Sequence, residues 1–123
     1  MKGETKLIKG IGLDIVEISR IMKANDLNPH FKERILTKNE LAIFNQLKTR
    51  RQLEFLAGRF SAKEAYSKAN GTGIGKECSL QDIEILPNDK GQPILYFKQE
   101  IVQGFVSITH SKEYAAAQVV LLA

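Results

Sequence analysis

The segment Thr49–Asn70, TRRQLEFLAGRFSAKEAYSKAN, decides how this chain folds. Apolar residues recur through it at helical spacing, so the segment predicts one long helix. Thr49 to Gln52 fits a capping box at its start, and Gly71 suits the left-handed residue that ends a helix. Glu64 falls on the same face as the apolar residues of this helix. An ionised carboxylate on a core-facing stripe is costly unless a cation or a metal meets it.

A second carboxylate stands out near the N-terminus. Asp14 interrupts the run Ile11–Val16, which otherwise reads as a buried strand. Asp14 and Glu64 are therefore candidate ligands for magnesium, which takes one or two protein carboxylates together with substrate phosphates and waters. The alternative is that each carboxylate is satisfied by a nearby base. Lys68, one helical turn after Glu64, is an obvious partner of that kind.

The composition fits a single globular domain over residues 1–123. Hydrophobic residues make up 43% and charged residues 26%, which excludes a disordered protein. The net charge of +4 favours an anionic partner. The single cysteine, Cys78, excludes an internal disulfide and predicts a cytoplasmic location. We expect no signal peptide and no membrane span, because charged residues interrupt every apolar run.

The remaining elements predict an α+β fold, in which helices lie between one early strand and a late antiparallel meander. Residues 7–16 read as a strand and residues 17–25 as a helix. Asn28-Pro29 fits an N-cap followed by proline, and Thr37–Glu40 fits a capping box that opens a further helix. Later strands are expected around Ile83 and Ile85, over Ile94–Phe97, over Phe105–His110 and over Tyr114–Leu122.

Basic residues on or beside the long helix form a candidate phosphate-binding surface. They are Arg50, Arg51, Arg59, Lys63 and Lys68. Arginine offers a planar fork and lysine a compact charge, and both suit phosphate oxygens. The alternative is an ordinary solvated helical face.

Two further features could contact a ligand. The glycines at 71, 73 and 75 could bring backbone amides close to it, and Gly71 and Gly73 are candidate binding residues. This loop closes a helix and is not a Walker loop, so a flexible connector is the alternative. His110 ends a predicted strand beside small hydroxyl residues, where it could bind phosphate or move a proton.

Three motifs together resemble the 4′-phosphopantetheinyl transferases, specifically the short bacterial holo-acyl-carrier-protein synthases. They are GIGLDIVEISR at 10–20, FLAGRFSAKEAYSKANGTGIG at 55–75 and VSITHS at 106–111. The likeness runs from about Ile8 to Leu122, and the order and spacing of the motifs make it specific. Residues 1–6 look like an extension, and Thr109 stands where serine is frequent in the family.

The resemblance implies a reaction. Coenzyme A donates 4′-phosphopantetheine to a serine of apo acyl carrier protein, for fatty acid biosynthesis, and adenosine 3′,5′-bisphosphate is released. Asp14 and Glu64 would bind Mg²⁺, and Lys68 and His110 would contact phosphates of coenzyme A. Arg20 would face the acidic carrier protein. The nucleotide would be surrounded by Arg50, Arg51, Arg59 and the loop 71–75.

The resemblance also implies an assembly and leaves one role open. It implies a homotrimer in which neighbouring subunits share each site, built on an antiparallel sheet packed with the long helix.

Phosphoryl transfer depends on positioning and charge neutralisation, which a metal held by two carboxylates supplies. The serine proton needs an acceptor, and the residues do not decide between Glu64 and a metal-bound water.

Two other functions compete with this one. A basic nucleic-acid-binding module would explain the charge, but it leaves Asp14 and Glu64 unexplained and has few aromatic residues for stacking. A non-catalytic adaptor could dock acidic helices through Arg20, but it leaves the glycine loop unexplained. Magnesium-dependent binding of coenzyme A separates the three, because a nucleic-acid module would show salt dependence without a need for magnesium.

Overall fold

The computed structural model describes residues 7–123, and the expected extension at residues 1–6 lies outside this range. The helices are α1 (Ile18–Leu27), α2 (Phe31–Ile35), α3 (Lys38–Phe44) and α4 (Thr49–Asn70). The strands are β1 (Ile8–Glu17), β2 (Ile83–Pro87), β3 (Pro93–Phe97), β4 (Glu100–Ile101), β5 (Gly104–His110) and β6 (Tyr114–Leu122). No helix in the described range is long and apolar enough to cross a membrane.

The α+β class is confirmed, but the late strands do not form one meander. Within residues 7–123 the strands make two three-stranded antiparallel sheets, in the orders β1-β6-β5 and β2-β3-β4. The early strand β1 pairs along its length with the last strand, β6. Local sequence patterns carry no information on pairing between strands that are distant in the chain. Strand β4 was not predicted because two residues are too few to show a strand pattern.

Two helix starts differ from the prediction. Thr49 is already helical, so the N-cap of α4 is Lys48, whose side chain makes no capping hydrogen bond. The side chain of Gln52 donates to the carbonyl of Phe44 and does not complete the predicted capping box. Helix α2 begins after His30, and not at the predicted proline. The capping box at the start of α3 and the left-handed Gly71 after α4, with φ of 83°, are both confirmed.

The inner face of the β1-β6-β5 sheet packs directly on α4, and glycine residues of β1 make this close approach possible. A Cβ atom on Gly12 would lie 1.8 Å from the carbonyl oxygen of Ala65, and one on Gly10 would lie 2.0 Å from that of Ala69. Side chains alternate along a strand, so Asp14 shares the face of Gly12 and points toward α4. The close packing therefore brings Asp14 to the helix that carries Glu64.

The outer face of the same sheet is apolar and open. Ile11, Leu13 and Ile15 of β1 are 56%, 63% and 65% exposed, and Phe105 of β5 is 67% exposed. Ile11 and Phe105 flank the same residue of β6, Val120, so they belong to one continuous row. A soluble monomer rarely exposes a contiguous apolar patch of this kind, so this face is suited to contact another chain.

Candidate active site

Asp14 accepts hydrogen bonds from two residues of α4. The Nζ atom of Lys68 lies 3.1 Å from Oδ1 of Asp14 and 3.0 Å from the carbonyl oxygen of Leu13. The hydroxyl of Ser61 lies 3.1 Å from Oδ2 of Asp14. Asp14 therefore has the nearby base that the alternative interpretation required, and that base is Lys68, which the helical spacing had offered to Glu64.

Glu64 is different, because its carboxylate makes no hydrogen bond or ion pair with any residue in the range 7–123. Burial raises the pKa of Glu64, and the nearby charge of Asp14 raises this pKa further, while Lys68 lowers it. Within residues 7–123, Glu64 thus remains without a paired cation, on the helix face that the sequence pattern singled out.

The donor set fits a hard divalent cation. The two carboxylates supply oxygen ligands, which magnesium prefers. No cluster of three or more His, Cys, Asp or Glu side chains suited to a metal occurs in the described part of the chain. Substrate oxygens and water would have to complete the coordination of any ion held by Asp14 and Glu64.

A cavity of about 320 Å³ opens beside the two carboxylates. Asp14, Glu64 and Arg20 contribute to its walls, together with the aromatic residues Phe31 and Phe60. Arg20 lies in the first turns of α1, directly after β1, so the chain order that places Asp14 also places Arg20. The structure therefore brings together two carboxylates, a guanidinium and an apolar wall.

A second cavity, of about 250 Å³, is lined by three of the predicted binding residues, Arg51, Arg59 and His110. The guanidinium of Arg59 packs 4.3 Å from the centre of the Phe55 ring, and its Nε donates to the carbonyl of Ile85. Burial lowers the pKa of Arg59. Such a guanidinium is held in place before any ligand arrives, which favours recognition of a planar or anionic group.

Glu54 is a functional candidate that the sequence reasoning missed. Its carboxylate lies 3.3 Å from Nε of Arg50, 3.8 Å from Nε of Arg51 and 3.7 Å from Nδ1 of His110. The side chain of Glu54 is only 16% exposed, whereas its three partners are 47% to 72% exposed. The carboxylate therefore lies beneath three basic side chains, two of which, Arg51 and His110, line the second cavity with it. Its spacing from Arg50 and Arg51 along the helix was the available signal.

Lys63 does not belong to the basic surface, and its predicted role in substrate binding is corrected. Its side chain is fully buried, and Nζ lies 2.6 Å from Oε1 of Glu40, 2.6 Å from the carbonyl of Ile35 and 3.0 Å from that of Leu80. An ammonium has three hydrogens, and these acceptors take all of them. The Lys63 ammonium is therefore used inside the protein, and it lines neither of the two cavities described above.

The loop after α4 is not an amide cradle. The N–H groups of Gly71 and Gly73 already donate to the carbonyls of Lys68 and Ser67 in the last turn of the helix, and that of Gly75 donates to Cys78. These donors are used in ending α4, which favours the connector interpretation over direct binding by Gly71 and Gly73.

Two comparisons extend the observations on this chain. The model of the 4′-phosphopantetheinyl transferase superfamily matches residues 10–120. The holo-[acyl-carrier-protein] synthase of Bacillus pumilus is 57% identical over 116 residues, which cover 94% of this chain and 96% of that protein.

Solved structures agree with this result. The crystal structure of a holo-(acyl-carrier-protein) synthase from Bacillus anthracis, in complex with CoA (3′,5′-ADP), has a TM-score of 0.86 and 54% identity, covering 96% of this chain and 99% of that chain. The Helicobacter pylori holo-[acyl-carrier-protein] synthase in complex with coenzyme A has a TM-score of 0.77 and 34% identity, covering 92% and 99% of the two chains.

Proposed function

This chain belongs to the 4′-phosphopantetheinyl transferase superfamily, and we infer that it transfers 4′-phosphopantetheine from coenzyme A to a serine of apo acyl carrier protein. The products are holo acyl carrier protein and adenosine 3′,5′-bisphosphate, and the reaction serves fatty acid biosynthesis. The similarity to holo-[acyl-carrier-protein] synthases over nearly the whole chain supports this function, whereas it gives no support to a nucleic-acid-binding module.

The pairing of Asp14 with Lys68 beside the unpaired Glu64 carries the proposed mechanism. We propose that Asp14 and Glu64 hold Mg²⁺, which when bound would offset the negative charge of the pyrophosphate of coenzyme A. Lys68 would contact the same phosphates, because one of its three hydrogens remains free after its bonds to Leu13 and Asp14. The Lys68 side chain is 52% exposed and can therefore reach a ligand.

The transfer itself is a substitution at phosphorus. The serine oxygen of the carrier protein forms a new bond to the phosphorus that bears pantetheine, and the bond from that phosphorus to the bridging oxygen breaks. The bridging oxygen leaves with the electron pair on adenosine 3′,5′-bisphosphate. We propose that the acceptor of the serine proton is either Glu64 or a water bound to Mg²⁺.

The second cavity is the proposed nucleotide site. Arg51, Arg59 and His110 would contact phosphates or the base of coenzyme A there, and Arg50 would join them through Glu54. Arg20 would contact the carrier protein from the first cavity, where the serine must enter. The cytoplasmic location stays a prediction, which the single cysteine supports.

We propose a homotrimer with shared sites; the number of subunits comes from the family resemblance, and two observations support the sharing. The cavity at Asp14 and Glu64 has no lining residue in common with the cavity at Arg51 and His110. The apolar outer face of β1 is open to another chain. A neighbouring subunit docked on this face would bring its own nucleotide cavity toward Asp14, and pockets for long ligands favour such interfaces.

Mass spectrometry tests the activity. Apo acyl carrier protein is incubated with the chain, coenzyme A and Mg²⁺, and the expected result is the gain of one phosphopantetheine. Loss of the product on chelation, with recovery on added Mg²⁺, would support the metal. An unchanged carrier protein in the presence of all components would contradict the function.

Subunit mixing tests the shared site. We mix two inactive variants, Asp14→Asn and Arg51→Ala, and allow subunits to exchange. If the two residues serve one site from different chains, some mixed sites keep both and activity partly returns. A monomer in sedimentation at working concentration would rule out the shared site, and no recovery in a confirmed mixed trimer would place both residues in one chain's half of the site.

A further inference from the structure

Ser61 is a buried residue whose hydroxyl reaches the Asp14 carboxylate. Its side chain is 0% exposed. Its Oγ lies 3.0 Å from the carbonyl oxygen of Asp14 and 3.1 Å from Oδ2 of the same residue. A serine hydroxyl has one hydrogen, so the carbonyl oxygen and Oδ2 of Asp14 share a single donor.

The two oxygens of the Asp14 carboxylate are held by different groups. Lys68 donates to Oδ1 and Ser61 donates to Oδ2. In the part of the chain that the structure describes, Ser61 is the donor that Oδ2 has, so its removal would leave that oxygen without a protein partner. Partners of this kind fix the orientation of a metal-binding carboxylate.

Ser61 also joins the two elements that carry the metal ligands. It lies on α4 one turn before Glu64, and its bond to the Asp14 carbonyl ties β1 to that helix. The close approach at Gly12 brings β1 to α4, and the Ser61 hydroxyl then lies within hydrogen-bond distance of the Asp14 carboxylate. We propose that Ser61 is a positioning residue, which holds the Asp14 carboxylate in the orientation that binds a divalent cation; this inference rests on the proposed function.

The same helix offers a matched control. Ser67 is also buried, at 1% exposed, but its hydroxyl donates to the backbone carbonyl of Glu64 at 2.7 Å. Ser61→Ala and Ser67→Ala each delete one buried hydroxyl from α4. Only Ser61→Ala removes a donor from a carboxylate.

The experiment measures Mn²⁺ binding by electron paramagnetic resonance of the free ion. Coenzyme A is present and carrier protein is left out, so that binding is followed without turnover. We expect Ser61→Ala to raise the dissociation constant of Mn²⁺ about tenfold or more, and Ser67→Ala to leave it unchanged. Ser61→Cys keeps a weaker donor of similar size and should fall between, and it replaces the alanine variant if that one fails to fold.

The outcomes separate the inference from the proposed function. A dissociation constant of Mn²⁺ that is unchanged in Ser61→Ala, or that rises equally in Ser67→Ala, would overturn the role of Ser61. The proposed function would still stand if the wild-type chain transfers phosphopantetheine. A wild-type chain that neither transfers phosphopantetheine nor binds Mn²⁺ beside coenzyme A would overturn the function itself, and the role of Ser61 with it.

Discussion

Lys68 donates to Oδ1 of Asp14 at 3.1 Å, and within residues 7–123 it makes no ion pair with Glu64, which lies one helical turn before it. The sequence offered Glu64 as the natural partner at that spacing. The lysine instead reaches across to β1, because the close packing of the strand on α4 brings Asp14 within range. Glu64 is left with an unneutralised charge, which is the property that a cation site requires.

Charge removal at either carboxylate should abolish most of the activity. We expect Asp14→Asn and Glu64→Gln each to lower kcat by about a hundredfold or more, because each keeps its shape but loses electrostatic stabilisation of the transferred group. The control Glu100→Gln changes an exposed carboxylate on β4. Near-normal turnover of either site variant at limiting Mg²⁺ would show that the altered residue is not a ligand.

Glu64→Gln should also stabilise the metal-free protein. Burial and Asp14 raise the pKa of Glu64, so ionisation of Glu64 is less favourable in the folded than in the unfolded state, and stability falls as the pH rises through that raised pKa. At pH 7, without metal, Tm should be higher in Glu64→Gln than in wild type, and the difference should shrink below the ordinary pKa of glutamate. Added Mg²⁺ should raise Tm of the wild type but not of the variant. A lower Tm for the variant at pH 7 would contradict the unfavourable charge.

Arg20 should affect the two substrates differently. Arg20→Ala removes an exposed guanidinium from the cavity beside Asp14, and we expect KM for acyl carrier protein to rise about fivefold with KM for coenzyme A nearly unchanged, because surface charges steer association. The rise should shrink at high salt. Arg34→Ala, an exposed arginine of α2 outside that cavity, is the control. Equal changes in both KM values would argue against a docking role.

Arg59 should not be replaceable by lysine. Arg59→Lys keeps the charge but cannot both stack on Phe55 and donate to Ile85, so the dissociation constant of adenosine 3′,5′-bisphosphate should rise about tenfold in calorimetry. Arg51→Lys is the matched comparison, since Arg51 is 72% exposed and should tolerate the change far better. Similar affinities for the two variants would remove Arg59 from the nucleotide site.

The buried pair of Lys63 and Glu40 should support stability instead of binding. Lys63→Met leaves the Glu40 carboxylate buried without its counter-charge, and the free energy of unfolding should fall by about 3 kcal/mol. Lys38→Met, the same change at an exposed position, should have little effect. Urea denaturation gives both values. A large loss of nucleotide affinity in a stably folded Lys63→Met would restore Lys63 to the substrate site.

The helical pattern was enough to predict α4 and its end at Gly71, because helix signals are local. The helical pattern also singled out Glu64, and the apolar run of β1 singled out Asp14, since a carboxylate in an apolar setting is visible in the sequence itself. The burial of the Lys63 side chain could not be predicted from the sequence, because its partners Glu40, Ile35 and Leu80 are distant along the chain. The division into two sheets has the same cause: β1 pairs with the far end of the chain.

Gly12 has a consequence for mutational scanning. Any side chain at this position would collide with the carbonyl oxygen of Ala65, so even alanine must push β1 away from α4. The strand carries Asp14 and the helix carries Glu64, so this displacement would separate the two carboxylates that we propose as ligands of one ion. A variant library scored only for enzymatic output would therefore rank Gly12 beside the catalytic residues, although it has no functional group at all.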